Sequence, residues 1–222
     1  GKRMGSQIPK QFLLLRGFPV LYYSLKCFQD CEWIQDIILV TNEESVEYVK
    51  EQIVDRYFLT KTRRIVTGGE ERYDSVYAGL MECVGTDYVF VHDGARPLIT
   101  GEILERVFDG VKEYGACIAG MPSKDTIKIS DEGGCVLSTP PRDRVWNVQT
   151  PQAFSYSVLK NAHDSIREKG MKGITDDAMI VEQETECWVK LVQGSYENLK
   201  ITTPEDLKIA EAILSERDLQ KI

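Results

Sequence analysis

Histidine is scarce in this chain: His92 and His163 are the only two among 222 residues. A histidine-rich metal centre or a histidine-driven proton relay is therefore poorly supplied. Six cysteines sit at positions 27, 31, 83, 117, 135 and 187, and none forms a Cys-x-x-Cys pair. That spacing argues against a zinc site. Most of the cysteines fall in apolar segments, where a reduced thiol behaves as a small hydrophobe. A reducing, cytoplasmic setting is expected. No apolar run approaches the roughly 18 residues of a membrane span, and no signal peptide is visible. Internal repeats, low-complexity tracts and linkers are also missing, so residues 1–222 are expected to form one domain. The Gly-Lys-Ser/Thr of a Walker A loop does not occur. Cations are in deficit, 27 Lys and Arg against 35 Asp and Glu, for a formal charge of −8. That balance argues against a nucleic-acid partner. It leaves room for a small anionic ligand, which needs only a local cationic pocket.

What is present alternates. Leu21, Leu25 and Phe28 have helical spacing, and Ile37 to Val40 read as a strand buried on both faces. Val46, Val49, Ile53 and Tyr57 predict a helix, and Arg64 to Val66 a short strand ending at Gly68-Gly69. Val76, Leu80 and Cys83 predict the next helix, and YVFVHD a strand ending in Asp93. A helix over Ile103, Val107 and Val111 and a strand over ACIAGM follow. This order predicts an α/β fold, a mostly parallel central sheet covered by helices on both faces. The pattern then breaks at TIKISDEGGCVLSTPPR, which reads as a ribbon turning at Gly133-Gly134. Two-stranded ribbons are barely stable alone, so this one is expected to pack on something, such as a second subunit. Beyond it come a strand near VWNVQ, helices near 155–168 and from Thr175, and a strand near WVKLV. The last helix opens at TTPEDL, with Thr203 as N-cap and Pro204 at its first position.

Ligands on open parallel sheets collect beyond the carboxyl ends of the strands. Four segments fall there. GKRMGSQIPK combines glycines with Arg3 and Lys10, and reads either as a solvated tail or as a loop around an anion. HDGARP places Asp93 at a strand end, as a turn cap or as a ligand for Mg²⁺, which takes one or two carboxylates plus phosphates. His92 there reads as a packed or hydrogen-bonding residue, and Arg96 as an anion binder or an ion-pair partner. GGEERYDS leads into a helix with Ser75 as a local cap or a reader of base or ribose. ENLKITTPED carries Lys200. Arg142, Thr150 and Thr175 stand near segment boundaries, and Thr175 also reads as an N-cap.

GKRMGSQIPKQF, VTGGEERYDSVYAGL, VFVHDGARP, KDTIK, WNVQTPQAF, ITDDA and GSYENLKITTPEDL occur in this order. Together they resemble the 2-C-methyl-D-erythritol 4-phosphate cytidylyltransferases of the nonmevalonate isoprenoid pathway. The resemblance implies a three-layer Rossmann-like nucleotidyltransferase fold with a protruding β-arm at about 124–145 that forms a homodimer. It implies transfer of CMP from CTP to a polyol phosphate, with Mg²⁺ or another divalent cation as cofactor and Asp93 as its ligand. Arg3, Lys10, Arg142 and Lys200 would be catalytic. Gly1, Arg3, Lys10, Gly69, Glu70, Ser75, Asp93 and Lys200 would bind CTP, although the family often has Asp where Glu70 stands. Arg96, Thr126, Arg142, Thr150, Thr175 and Lys200 would bind the sugar phosphate. The family's first strand is expected to be missing from the N-terminus. Ribitol 5-phosphate cytidylyltransferases share the fold, CTP and the triphosphate clamp that the resemblance implies for Arg3 and Lys10, and are the alternative. A non-catalytic nucleotide-binding protein is the alternative of another class.

Overall fold

A computed structural model describes residues 9–220. A short hairpin, β1 (Leu14–Leu15) with β2 (Phe18–Pro19), leads into α1 (Val20–Asp30). Then come β3 (Ile37–Thr41), α2 (Val46–Val49), β4 (Thr62–Thr67), α3 (Arg72–Leu80), β5 (Tyr88–Val91), α4 (Gly101–Tyr114) and β6 (Ala116–Pro122). The ribbon is β7 (Ile129–Ser130) with β8 (Val136–Ser138). The remainder is β9 (Trp146–Ser155), α5 (Tyr156–Lys169), α6 (Asp177–Glu184), β10 (Lys190–Gln193) and α7 (Pro204–Leu219).

Helices lie on both faces of a four-stranded sheet ordered β10-β6-β9-β5. Side chains alternate across a strand. Ala116, Ile118 and Phe154 accordingly pack with Leu159, Ala162 and Ile166 of α5 and with Ile180 and Val181 of α6. Their neighbours Cys117, Ala119 and Ala153 point the other way, onto Phe28 of α1 and Ile103, Val107 and Val111 of α4. This is the reason β6 reads as a continuous apolar run: both of its faces are buried.

The sheet is mixed, so the expectation of a mostly parallel one holds only in part. β10 pairs with β6 in parallel, but β9 runs antiparallel to both β6 and β5. The cause is the excursion between β6 and β9. The chain leaves at Pro122 and re-enters at Trp146, directly opposite it in the register, so β9 must run back along β6. β3 and β4 form a separate parallel pair. In β3 only Leu39 is buried and its neighbours are half-buried, short of the two-sided burial its composition suggests.

Local rules hold well at the helix ends. Thr203 and Asp206 form a reciprocal capping box at the start of α7, with Pro204 behind the cap. Gly115 closes α4 in the left-handed region at φ 77°. The segment predicted as one helix over 46–57 is instead two short pieces, α2 and a π turn at Lys50–Asp55, entered through a 3₁₀ turn at Glu43–Ser45. Val49 and Ile53 are nevertheless fully buried, as their spacing requires. The β7–β8 ribbon turns at Gly134, φ 83°, and exposes Ile129, Val136 and Leu137. Among the described residues no helix is long and apolar enough to cross a membrane.

Candidate active site

β5 ends at Val91, and His92 and Asp93 follow directly. The Asp93 carboxylate is 17% exposed and faces three cations. Lys200 Nζ is 2.8 Å away, Arg96 Nε 3.6 Å and Arg72 Nε 3.7 Å. Burial by itself pushes this carboxyl up, but Lys200 and then Arg72 outweigh it and hold Asp93 at about 2. Asp93 is thus held as an anion near neutral pH.

Its backbone is placed by two neighbours. The Asp93 N–H donates to Thr150 Oγ1 at 3.1 Å, and Thr150 Oγ1 lies 3.0 Å from His92 Nδ1. His92 Nε2 lies 3.3 Å from the Arg96 carbonyl. A carbonyl only accepts, so the network assigns the His92 proton to Nε2, and the threonine hydroxyl donates to Nδ1. Burial pushes His92 down to about 4, which keeps the ring neutral. Histidine here is a structural pin.

That pin has a pH signature. The unfolded chain takes up a proton as pH falls through about 6.5, whereas the folded chain resists until about 4. The stability from this group is present above about pH 6.5 and is lost as pH falls toward 4, on the order of 3 kcal/mol in all. Asp93 adds a further loss only below its unfolded value of 3.8, as pH falls toward 2. Urea unfolding at pH 7 and pH 4.5 should therefore show a smaller acid loss in His92→Gln than in the wild type. Equal losses would contradict a neutral buried ring.

Lys200 reaches the site on the 194–202 loop. The Ile201 N–H donates to the Ala95 carbonyl at 2.8 Å, and Arg96 Nη1 donates to the Asn198 carbonyl at 2.8 Å. The stretch around Lys200 is thereby stitched to HDGARP, more than 100 residues away in sequence.

On the opposite side, GGEERYDS turns from β4 into α3. Gly68 donates to the Thr41 carbonyl, and the Gly69 N–H donates to Ser75 Oγ at 3.2 Å. A Cβ on Gly68 would lie 2.5 Å from Ser75 Oγ, so any side chain there would push Ser75 out of this position. Glu71 and Asp74 cap the helix reciprocally, and Ser75 donates to the Glu71 carbonyl from inside its first turn. Ser75 is therefore a brace for the turn, with Gly69 and Glu70 exposed beside it. Arg72 bridges Asp93 and the wholly buried Asp177, which it meets at 2.7 Å. Asp177 also faces His163 Nε2 at 3.2 Å.

The structure thus gathers Asp93, Arg96, Thr150 and Lys200, and sets Gly69, Glu70 and Ser75 on the far side of Arg72. Lys10 is half-buried in a 3₁₀ turn, Lys10–Phe12. Gly1 and Arg3 lie outside the described residues. Thr126 and Arg142 are exposed at the base of the ribbon, where Arg142 Nη1 is 3.5 Å from the Lys124 carbonyl. Among the described residues no hydrogen bond or ion pair joins either of them to the Asp93 cluster. Thr150 is buried and its hydroxyl is used by Asp93 and His92. Thr175 is exposed, and it is not the cap of α6: Asp176 accepts from Met179 N at 3.0 Å instead. A carboxylate is simply the stronger acceptor at a helix N-terminus.

Sequence reading left out Arg72, Asp177, Gln149 and Asn198. Each lies within or beside a quoted motif, but its partner is remote. Among the described residues no group of three or more His, Cys, Asp or Glu could hold a metal ion. The donor set offers one ionised carboxylate, which suits Mg²⁺ brought in largely on phosphate oxygens and does not suit a protein-built cage.

Comparison with known proteins agrees with this arrangement. The family model described as "IspD: 2-C-methyl-D-erythritol 4-phosphate cytidylyltransferase" matches residues 1–216. The chain is 51% identical to the 2-C-methyl-D-erythritol 4-phosphate cytidylyltransferase of Lachnoclostridium phytofermentans, across 97% of this chain and 92% of the relative. It is 48% identical to that of Alkaliphilus oremlandii, across 98% and 92%. Among solved structures it superposes on 4-diphosphocytidyl-2C-methyl-D-erythritol synthase from Anaerococcus prevotii with TM-score 0.85 and 32% identity, covering 92% of this chain and 93% of that one. The Thermus thermophilus cytidylyltransferase gives TM-score 0.77 and 31% identity, covering 93% and 94%. A match of this extent and identity leaves one conclusion: the chain belongs to the 2-C-methyl-D-erythritol 4-phosphate cytidylyltransferase family, enzymes of isoprenoid biosynthesis that transfer a cytidylyl group from CTP.

Proposed function

We propose that the Asp93–Lys200 cluster is where this chain transfers CMP from CTP to 2-C-methyl-D-erythritol 4-phosphate. The observation that carries the assignment is charge. Lys200, Arg96 and Arg72 surround Asp93, with Asp177 behind Arg72. Three cations facing one carboxylate leave an excess of positive charge immediately around Asp93, in a protein whose formal charge is −8. A polyphosphate needs such a local field.

In the proposed chemistry a phosphate oxygen of the acceptor attacks the α-phosphorus of CTP. The bond from that phosphorus to the bridging oxygen breaks, and pyrophosphate leaves in line. The nucleophile is already an anion, so no strong base is required, and a neutral His92 costs the reaction nothing. The work falls to alignment and to charge placed where negative charge develops. Lys200, with Lys10 and Arg3, would supply it. Gly69, Glu70 and Ser75 would line the cytidine side, and Gly1 would also bind CTP. Arg96, Arg142, Thr126, Thr150 and Thr175 would serve the acceptor side, Thr150 through the position it gives Asp93. Asp93 would hold Mg²⁺ or another divalent cation, which when bound offsets the charge of the triphosphate and of the departing pyrophosphate.

The architecture supports a Rossmann-like nucleotidyltransferase fold, and the exposed ribbon supports a β-arm that pairs two copies. Burial drives the Cys27 and Cys117 thiols up to about 12, so they serve as packing groups and not as nucleophiles. The functional test is pyrophosphate release from CTP with Mg²⁺ and either of two acceptors. Methylerythritol phosphate is expected to support turnover with a kcat/KM about 10²-fold or more above that for ribitol 5-phosphate, the size of discrimination a single pocket can supply. Equal use of the two would overturn the acceptor assignment.

A further inference from the structure

Lysine is a poor candidate for accurate placement. Its ammonium rides on a flexible four-carbon stem, and Lys200 is 38% exposed. Something must hold the backbone beneath it. The residue two positions earlier, Asn198, is wholly buried, with 0% exposure. Its Nδ2 donates to the Thr150 carbonyl at 2.9 Å and to Gln149 Oε1 at 3.3 Å. Its backbone N–H donates to the Ser195 carbonyl at 3.1 Å, and its own carbonyl accepts from Arg96. Gln149 Nε2 donates to the Ser195 carbonyl at 2.7 Å, closing the loop on itself.

The amide can sit only one way. Turned over, its oxygen would face two acceptors, the Thr150 carbonyl and Gln149 Oε1. So Asn198 joins three parts of the site at one buried point. These are the strand that carries Thr150, the turn that carries Asp93 and Arg96, and the loop that carries Lys200. From the proposed role of Lys200, we infer that Asn198 is a positioning residue for cytidylyl transfer, one that fixes the Lys200 ammonium beside Asp93. Asn198 does not itself touch the reacting atoms. It acts through Lys200, by keeping the lysine in register with the groups opposite.

A double-mutant cycle tests this. Asn198→Ala, Lys200→Ala and the double variant are compared by kcat/KM for CTP, with folding checked by thermal unfolding. Misplacement of a catalytic group by about 1 Å can cost about 10²-fold, so Asn198→Ala is expected to lose about 10–10²-fold. If Asn198 works through Lys200, the double variant falls little further than Lys200→Ala alone, and the two effects miss multiplicativity by about 10-fold or more. Full multiplicativity would overturn the inference, because a merely structural asparagine would weaken the enzyme equally with or without the lysine. Should Asn198→Ala not fold, the same cycle is run with Gln149→Ala, which loosens the amide but leaves its bond to Thr150. Non-additivity there supports the inference and multiplicativity overturns it. If Lys200→Ala itself has no effect on turnover, the reading of Lys200 has failed, an outcome distinct from additivity on top of an impaired Lys200→Ala.

Discussion

Lys200→Ala is expected to lower kcat about 10²–10³-fold, the loss that follows removal of one oriented charge stabiliser. Lys200 is the cation nearest Asp93, at 2.8 Å, and it comes from a loop bonded on both sides of it to the Asp93 turn. Removing the ammonium leaves Arg72 and Arg96 beside Asp93 at longer range, so the fold should persist. The CTP dependence separates the two possible outcomes. If Lys200 acts mainly on the developing charge of the transition state, kcat falls and the KM for CTP moves little. A risen KM with kcat intact would recast Lys200 as a ground-state binder. Lys200→Arg should recover only part of the loss, because guanidinium keeps the charge and loses the compact point-like geometry. Steady-state pyrophosphate release, measured for all three proteins, decides between these.

Lys10→Ala should cost a similar 10²–10³-fold in kcat. The reason it can be tested cleanly is local. Pro9 enters the turn at φ −55°, the Phe12 N–H donates to the Pro9 carbonyl at 2.9 Å, and Phe12 is buried against Leu21, Leu25 and Leu39. The core therefore anchors this turn through Phe12, two residues from the lysine, and truncating Lys10 leaves the anchor in place. Thermal unfolding close to that of the wild type is expected together with the loss of turnover. Turnover unchanged would remove Lys10 from the triphosphate clamp and return the opening segment to a solvated tail.

Much of the fold was legible in the sequence because its signals are short-range. The period of Leu21, Leu25 and Phe28 gave α1, and the apolar run at 116–121 gave the doubly covered β6. The Thr203-Pro204 start of α7 was a matter of a few neighbouring residues. The motifs of the candidate site were legible for the same reason: each is one strand end and the turn after it. Where two acceptors competed inside a turn the reading slipped. Asp176 took the cap assigned to Thr175.

From composition and spacing alone, this protein's elements, their order and the strand tips that bear its polar residues could be derived. Each depends on hydrogen bonds and periodicities a few residues long. Tertiary structure decided the rest. It reversed β9, because the ribbon returns the chain beside the strand it had just left. It surrounded Asp93 with Arg72, Arg96 and Lys200, and it buried Asp177 and Asn198 as their supports. Contacts between groups about 100 residues apart depend on which strands lie side by side, and no local pattern encodes that.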